Sequence, residues 1–318
     1  MTTSSTSAPL SMATNADFQA WVSEVITNLV TTCGLTQTTD TGQINTSSVT
    51  IPTAVDTSAG YVILTFNDTL QTATPTSPNI TASVYIKLEF GTGQSTSTPY
   101  TGYNPAMWIT VGTGSNGTGT LTGVVGTRMS ITQSNNSVNS ATTAYTSYYM
   151  YNKTLGVAGM VFKVGSTNPS DQSYGGFYIF RSNDGSGNPT GDSVNVIASN
   201  ATNPNSGTFM NCISFISQLT YGGPWSFLPL SAYNASTYST TYNGNTFVFP
   251  VFYQTPYYSI SAYGAVGSVF NFSVGGTLSM TLIGSTPHTF LSTGQMFGTY
   301  SMAIGDYQNT SSFLMIWE

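Results

Sequence analysis

The sequence predicts a mainly β protein, with antiparallel sheets in a sandwich or barrel-like arrangement and one N-terminal amphipathic helix. Aromatic residues make up 13% of the 318 residues, including 20 Tyr and 17 Phe, and aromatic and β-branched residues favour strands. After residue 48, short apolar runs recur at a spacing of roughly 8–12 residues, which is typical of sandwiches and barrels. Only 5% of the residues are charged against 39% hydrophobic, whereas an ordinary domain carries about 25% charged residues.

The first elements are a polar arm and a helix. Residues 1–15 are mostly small and polar, and we expect a flexible N-terminal arm. Residues 16–34 are the one convincing helix, which Asn15 or Asp17 can cap and Gly34 can end. Its apolar residues recur at steps of three and four, and they are Phe18, Trp21, Val22, Val25, Ile26, Leu29 and Val30. This stripe predicts docking against a sheet or a neighbouring subunit, with Phe18, Trp21, Val25 and Leu29 as the interface residues.

Strands and turns follow the helix. The helix and the first strands predict a docking domain over residues 16–125, followed by a polar linker region at 126–150 and a β-sandwich-like domain at 151–318. The strands predicted in the docking domain are 61–66, 84–90, 106–111 and 119–125. The strands predicted in the second domain are 159–164, 176–181, 193–198, 208–217, 246–253, 257–263, 269–274, 277–283 and 313–317. Alternation of apolar and polar residues, as in 84–90, supports these assignments.

Charge and cysteine content exclude several classes of protein. The net charge is −6 and the five basic residues are scattered, which argues against nucleic acid binding. No apolar run is long enough for a membrane span, and residues 1–15 do not resemble a secretory signal. Cys33 and Cys212 lie in apolar surroundings and are expected to be buried thiols; the sequence leaves open whether they pair.

The sequence Gly112-x-Gly114-x-x-Gly117 matches a dinucleotide-binding fingerprint in letters alone. Such a site needs a helix directly after the glycines and an acidic residue about 20 positions further on. Here the sequence continues as a strand-like run, and Asn and Ser stand near position 137. We therefore predict a hairpin turn and expect no cofactor.

Catalytic and metal-binding residues are sparse. His288 is the only histidine, and its Gly-Ser-Thr-Pro-His context predicts a surface turn rather than a general base. Asp184 and Asp192 flank an oxygen-rich loop that is a weak calcium candidate, although the spacing of a calcium-binding EF-hand is missing. A flexible loop is also a poor place to fix a glycosidase acid pair. We predict that the protein is not an enzyme.

Tyrosines form two dense segments. Tyr148 and Tyr151 lie in the first, and Tyr257 and Tyr258 in the second. Tyrosines arranged in this way can stack on sugars, and these four are candidate glycan-facing residues. They are equally typical of a β core or a subunit interface, which is the interpretation that we favour.

Eight segments have the character of recurring motifs. They are residues 17–22 (DFQAWV), 33–38 (CGLTQT), 40–44 (DTGQI), 66–70 (FNDTL), 86–93 (IKLEFGTG), 108–119 (WITVGTGSNGTG), 181–190 (RSNDGSGNPT) and 315–318 (MIWE). In these segments the chain resembles a group of tailed-bacteriophage virion proteins. The resemblance touches both ends of the chain, and residues 126–150 depart from it. It implies a structural protein without catalytic residues.

Together these observations predict a structural component of a tailed-phage virion. The favoured location is the viral tail, baseplate or fibre apparatus, where the protein would act through permanent protein–protein contacts. A capsid-decorating protein and a carbohydrate-binding receptor module for host attachment are the alternatives. The expected partners are other virion proteins and further copies of the chain in a homo-oligomer, with a host surface glycan as a further candidate. We expect the protein to be made in the host bacterial cytoplasm and to reside in the virion.

Overall fold

The computed structural model describes residues 2–6, 14–54, 56–68, 84–92, 105–131, 144–152, 156–165, 173–181, 193–201, 209–216, 219–224, 226–227, 248–254, 259–268, 277–281, 287–292, 302–304, 307–309 and 312–316. The predicted fold class is confirmed, since these residues form antiparallel sheets and a single N-terminal helix. The helix is α1 (Asn15–Thr31). The strands are β1 (Thr2–Thr6), β2 (Thr36–Gln37), β3 (Thr57–Phe66), β4 (Val84–Thr92), β5 (Pro105–Gly112), β6 (Gly114–Ser115), β7 (Leu121–Thr122), β8 (Val125–Ser130), β9 (Ala144–Asn152), β10 (Val157–Gly165), β11 (Ser173–Phe180), β12 (Ser193–Ala201), β13 (Phe209–Ile216), β14 (Leu219–Pro224), β15 (Ser226–Phe227), β16 (Val248–Gln254), β17 (Ser259–Ser268), β18 (Thr277–Thr281), β19 (Pro287–Ser292), β20 (Met302–Ile304), β21 (Tyr307–Asn309) and β22 (Ser312–Ile316).

Helix α1 begins with a capping box. The Thr14 hydroxyl accepts a hydrogen bond from the Asp17 N–H at 3.2 Å, and the Asp17 carboxylate accepts one from the Thr14 N–H at 2.9 Å. This reciprocal pair satisfies two backbone donors that would otherwise lack a partner in the first turn. The prediction that Asn15 or Asp17 caps the helix is therefore wrong, because Asp17 stands at the third helical position. Asn15 instead accepts a hydrogen bond from the Ile51 N–H at 2.9 Å.

The helix ends at Thr31, three residues before the predicted end. Gly34 follows with φ at +61°, a left-handed conformation that glycine adopts without the steric cost of a Cβ. The Leu35 N–H donates to the Leu29 carbonyl at 3.0 Å and closes the turn. Gly34 thus reverses the chain after the helix, as its position in the sequence indicates.

Three larger sheets account for most strands. The five-stranded sheet has the order β2-β3-β4-β5-β8, the seven-stranded sheet the order β1-β9-β10-β11-β12-β13-β14, and the six-stranded sheet the order β15-β16-β17-β22-β19-β18. Strand β8 lies against β12, β13 and β14, and β11 approaches β17. From β9 to β14 the seven-stranded sheet is a meander of consecutive antiparallel strands.

The fingerprint-like glycines lie in a hairpin, as predicted. Strand β6 pairs antiparallel with β7, in the register Gly114↔Thr122 and Ser115↔Leu121. Gly117 adopts φ at +82° in the turn between them. The N-terminus of a helix, which a dinucleotide site needs, does not follow these glycines.

One hydrophobic core crosses the predicted domain boundary. It joins the apolar stripe of α1 and the inner face of the five-stranded sheet to Tyr149, Met160, Phe162 and Phe177 of the seven-stranded sheet. Strands β8 and β9 also reach into the region predicted as a polar linker. The linker prediction followed the Ser-, Asn- and Thr-rich residues 132–143 that precede β9, whereas β9 itself is rich in Tyr and buries Tyr149.

The N-terminal arm differs from the expectation of flexibility over residues 1–15. Residues Thr2–Thr6 form β1 and pair antiparallel with β9, from Thr2↔Asn152 to Thr6↔Tyr148. Backbone hydrogen bonding to the edge of β9 orders a segment that has no apolar side chains of its own. Residues 7–13 lie outside the described part of the chain.

Candidate functional site

The predicted interface residues of α1 lie inside the chain. Phe18, Trp21, Val25 and Leu29 are each fully buried. The ring of Trp21 meets the ring of Phe90 on β4 edge-to-face, with centroids 5.6 Å apart. The apolar stripe therefore docks on the protein's own sheet, which is the first of the two alternatives that the sequence left open. Burial in the core leaves these four residues no accessible area for a neighbouring subunit.

A half-buried carboxyl connects α1 to the seven-stranded sheet. Glu24 accepts hydrogen bonds from the Tyr149 hydroxyl at 3.0 Å and from the Asn28 side-chain amide at 2.9 Å. Burial raises the pKa of the Glu24 carboxyl to about 7, although both hydrogen bonds act to lower it. Burial, together with the neighbouring Glu24, also raises the pKa of Tyr149 well above its usual value. Tyr149 therefore stays protonated and donates across the junction.

Cys33, in the C-terminal turn of α1, makes a second hydrogen bond to the seven-stranded sheet. Its thiol is free and buried, and Sγ donates to the Gly159 carbonyl on β10 at 3.4 Å. Burial raises the pKa of the thiol to about 12. A thiol that stays protonated is neither a nucleophile nor a ligand for metals. The predicted buried, free state of Cys33 is confirmed, whereas the side chain of Cys212 lies outside the described residues.

Asp68 and Arg181 form a fully buried ion pair. The guanidinium Nε donates to Asp68 Oδ2 at 2.7 Å and Nη2 donates to Oδ1 at 2.9 Å. The side chains are 0% and 1% exposed respectively. The bidentate geometry compensates in part for removing both charges from water. The pair connects the residue two places after β3 to the residue directly after β11.

Gly156 makes room for this pair. It adopts φ at +66°, and a Cβ at this position would lie 2.5 Å from Asp68 Oδ2 and 2.7 Å from Arg181 Cγ. Neither distance is compatible with a side chain. The glycine, the carboxylate and the guanidinium therefore form one packed unit at the ends of three strands.

Asp40 holds the β6–β7 hairpin against the loop that follows β2. Its carboxylate accepts hydrogen bonds from the hydroxyls of Ser115 and Thr38 and from the Gly119 N–H, the last at 3.1 Å. Burial acts to raise the pKa of Asp40, but these hydrogen bonds outweigh it and the pKa is lowered. Lys87 reaches the same hairpin and donates to the Gly119 carbonyl at 2.9 Å. The carboxylate is a structural acceptor.

An open groove of about 600 Å³ runs between α1 and residues 37–46. Two of its polar residues are already bonded within the chain, since Asp40 holds the hairpin and the Gln43 amide donates to the Thr38 carbonyl at 2.7 Å. The lining residues are Ser23, Ile26, Thr27, Gln37, Asp40, Gly42, Gln43, Ile44, Asn45 and Thr46. The groove is thus a polar surface depression without a free charged group at its base.

The remaining basic residue with a described side chain, Arg128, lies at the surface. Its guanidinium stacks on the Trp108 ring at 3.9 Å and pairs with Glu89 at 2.9 Å and Asp56 at 3.6 Å. Stacking of this kind stabilises an exposed strand modestly. Lys87, Arg128 and Arg181 thus all bind groups of the same chain, which leaves no cluster of basic residues in the described region.

The other predicted site residues are scattered. Tyr148 and Tyr151 lie on β9, where both are half-buried, and Tyr151 packs on Phe66 at a centroid distance of 6.5 Å. Packing within the chain agrees with the core interpretation of Tyr151. Tyr257, Tyr258, Asp184 and Asp192 lie outside the described residues. His288 was expected in a turn but lies in β19, opposite Met280 of β18, because the strand begins at Pro287.

Sequence reasoning missed Glu24, Asp40 and the Asp68–Arg181 pair. The sequence did offer a signal for this pair. Asp68 lies two residues after one apolar strand and Arg181 directly after another, and a carboxylate next to a core requires a cation. The partners are 113 residues apart in the chain, and spacing alone does not connect them. Glu24 lies beside the apolar stripe of α1, and its position in the sequence is the same as that of an ordinary solvent-exposed helix residue.

The described residues hold no group of three or more His, Cys, Asp or Glu side chains arranged for a metal ion. No helix in that part of the chain has the length and apolar character needed to cross a membrane. No protein-family model, curated protein or solved structure matches the chain.

Proposed function

We propose that the protein is a structural component of a tailed-phage virion and that it belongs to the tail, baseplate or fibre apparatus. The observation that carries the proposal is that the ionisable side chains named above make hydrogen bonds and ion pairs within the chain. Glu24, Cys33, Asp40, Asp68 and Arg181 each bind a group of the same chain. Such groups fix elements relative to one another, as a protein held in a permanent assembly requires.

Composition and resemblance support the same proposal. A chain in which only 5% of the residues are charged favours partners held by area and hydrogen bonds rather than by charge. Three of the motifs that resemble phage virion proteins contain a side chain that bonds distant parts of the chain to each other. Asp68 lies in the 66–70 motif, Arg181 begins the 181–190 motif and Asp40 begins the 40–44 motif.

The experiment is to purify intact particles and measure the copy number of this chain by quantitative mass spectrometry, then to locate it in a density map of the particle. We expect a fixed copy number and density in the tail, baseplate or fibre. A chain that stays in the soluble lysate and is absent from purified particles would overturn the proposal. Density on the capsid surface would support a structural role in the virion, but it would show that the protein decorates the capsid and does not belong to the tail.

A further inference from the structure

We infer that the edge of β9 at residues 148–152 is an assembly site, and that in the assembled protein it binds strand β1 of a second copy of this chain. The inference rests on the proposed function only in assuming that copies lie side by side. It deepens that function by naming the partner and the backbone edge that binds it.

Strand β1 is held in a way that permits exchange. Its five residues are Thr, Thr, Ser, Ser and Thr, so the strand carries no apolar side chain to anchor it in a core. It pairs with β9, in a register of five residue pairs. A strand of this kind can leave its own chain and cross solvent without exposing apolar surface, which keeps the cost of exchange low.

The rest of the sheet is complete without β1. Strand β9 pairs with β10 over nine positions, from Val157↔Asn152 to Gly165↔Ala144, and Tyr149 fixes it to Glu24 of the helix. When β1 leaves, β9 stays in place and presents a row of free N–H and C=O groups. Such an edge recruits another strand by main-chain hydrogen bonding.

The same contacts form within one chain or between two. A β1 strand from any copy offers β9 an identical sequence and an identical register, so the choice depends on distance and effective concentration. Helix α1 starts at a fixed point, the capping box at Thr14. Eight residue steps separate Thr6 from Thr14, and they span at most about 26–29 Å. Copies whose β9 edge lies within that distance can exchange strands, and an assembly brings copies that close.

The low charge of the chain supports a second copy as the occupant. A net charge of −6 over 318 residues gives little repulsion between identical chains. Every exchanged strand adds a link between subunits while the contacts of the folded chain stay the same. The polar sequence of β1, the complete β9–β14 meander and the short connecting segment therefore point to strand exchange between copies.

The experiment uses cysteine pairs in the full-length chain. Thr6 and Tyr148 are opposite each other in the register, and opposed Cα atoms in an antiparallel pair are about 4.5–5.5 Å apart, within the range of a disulfide. One preparation carries Thr6→Cys and a second, with a size tag, carries Tyr148→Cys. The two are mixed, unfolded, refolded together and oxidised. We expect a disulfide between the tagged and untagged chains, identified by mass spectrometry of the joined peptides.

Two controls define the result. The parent chain shows any link through Cys33 or Cys212. A mixture of Thr6→Cys with Asn152→Cys is mismatched by four residues, or about 13 Å along the strand, and should give no link. If the Tyr148→Cys chain fails to refold, Ser4→Pro gives an independent reading, because proline removes a backbone N–H and disfavours strand pairing. It should shift the parent's light-scattering mass towards the monomer.

The inference is overturned if the matched mixture links no better than the mismatched one, or if a chain carrying both cysteines forms only the internal disulfide. A monomeric parent chain, or a β9 cysteine that links to a different protein in particles, would also overturn it. All of these results can occur while the chain is present in virions at a fixed copy number. Failure of strand exchange is therefore distinguishable from failure of the proposed function.

Discussion

Helix α1 contacts the two sheets beside it through different chemistry. Towards the five-stranded sheet it makes an apolar ring contact, between Trp21 and Phe90. Towards the seven-stranded sheet the helix and its C-terminal turn also make directional contacts. Glu24 binds Tyr149, and Cys33 binds the Gly159 carbonyl. Apolar burial stabilises without fixing an orientation, whereas hydrogen bonds specify which atoms meet.

This difference means that the apolar contacts of α1 contribute most of the stability, whereas its hydrogen bonds determine how the helix is positioned on the seven-stranded sheet. Each side of the apolar junction is a local pattern, helical in α1 and alternating in β4, although its partners Trp21 and Phe90 are distant in sequence. The polar junction joins residues more than a hundred positions apart, and the Asp68–Arg181 pair extends it to the end of β11. Variants on the two junctions should therefore differ in size of effect and in their response to pH.

Trp21→Ala should give the largest loss. The side chain is fully buried against Phe18 and Phe90, so truncation removes buried apolar area and leaves a cavity. We expect the free energy of unfolding to fall by about 3–5 kcal/mol, measured by urea denaturation. Thr27→Ala, at an exposed position of the same helix, is the matched control and should change stability little. Equal losses from both variants would contradict the apolar junction.

Arg181→Met should destabilise by about 3–5 kcal/mol, the range known for broken buried pairs. The variant leaves the Asp68 carboxylate buried without its guanidinium. Urea denaturation at neutral pH measures the loss.

The double variant Asp68→Leu with Arg181→Met tests the cause. Because it removes both charges together, it should be more stable than Arg181→Met alone. If the double variant is as unstable as the sum of two independent changes, packing rather than the ion pair holds these strands.

Gly34→Ala should have a smaller effect, composed of two parts. A left-handed φ costs an L-residue about 1–2 kcal/mol, and the new Cβ would lie 2.6 Å from the Tyr151 ring. Gly117→Ala is matched, since Gly117 also has a positive φ but nothing lies within 4 Å of its Cβ position. Urea denaturation should therefore show a larger loss for Gly34→Ala. Equal losses would mean that Tyr151 moves aside freely.

The sequence predicted the apolar junction well and the polar one hardly at all. The steps of three and four from Phe18 to Leu29 predict a helix with one buried face, and alternation from Val84 to Phe90 predicts a strand with an inward face. Both are local patterns. The partners of Glu24 and Asp68 are set by the fold, since long-range pairs follow from sheet order. Strand β1 was missed for the same reason: a polar strand is ordered by the edge that it meets.

The pH dependence of stability tests the polar junction through the carboxyl of Glu24. Folding raises the pKa of Glu24 from its ordinary value of 4.5 to about 7, so between these values the folded chain binds a proton that the unfolded chain has released. Stability from this group is therefore complete below pH 4.5 and is lost as the pH rises through 7. Unfolding free energies measured by urea denaturation from pH 4 to pH 8 should show this fall in the parent. Glu24→Gln keeps an acceptor for Tyr149 but does not titrate, so the fall attributable to Glu24 should disappear. If the variant retains the full slope of the parent, another group carries the pH dependence and the junction between Glu24 and Tyr149 holds the helix equally well in either protonation state.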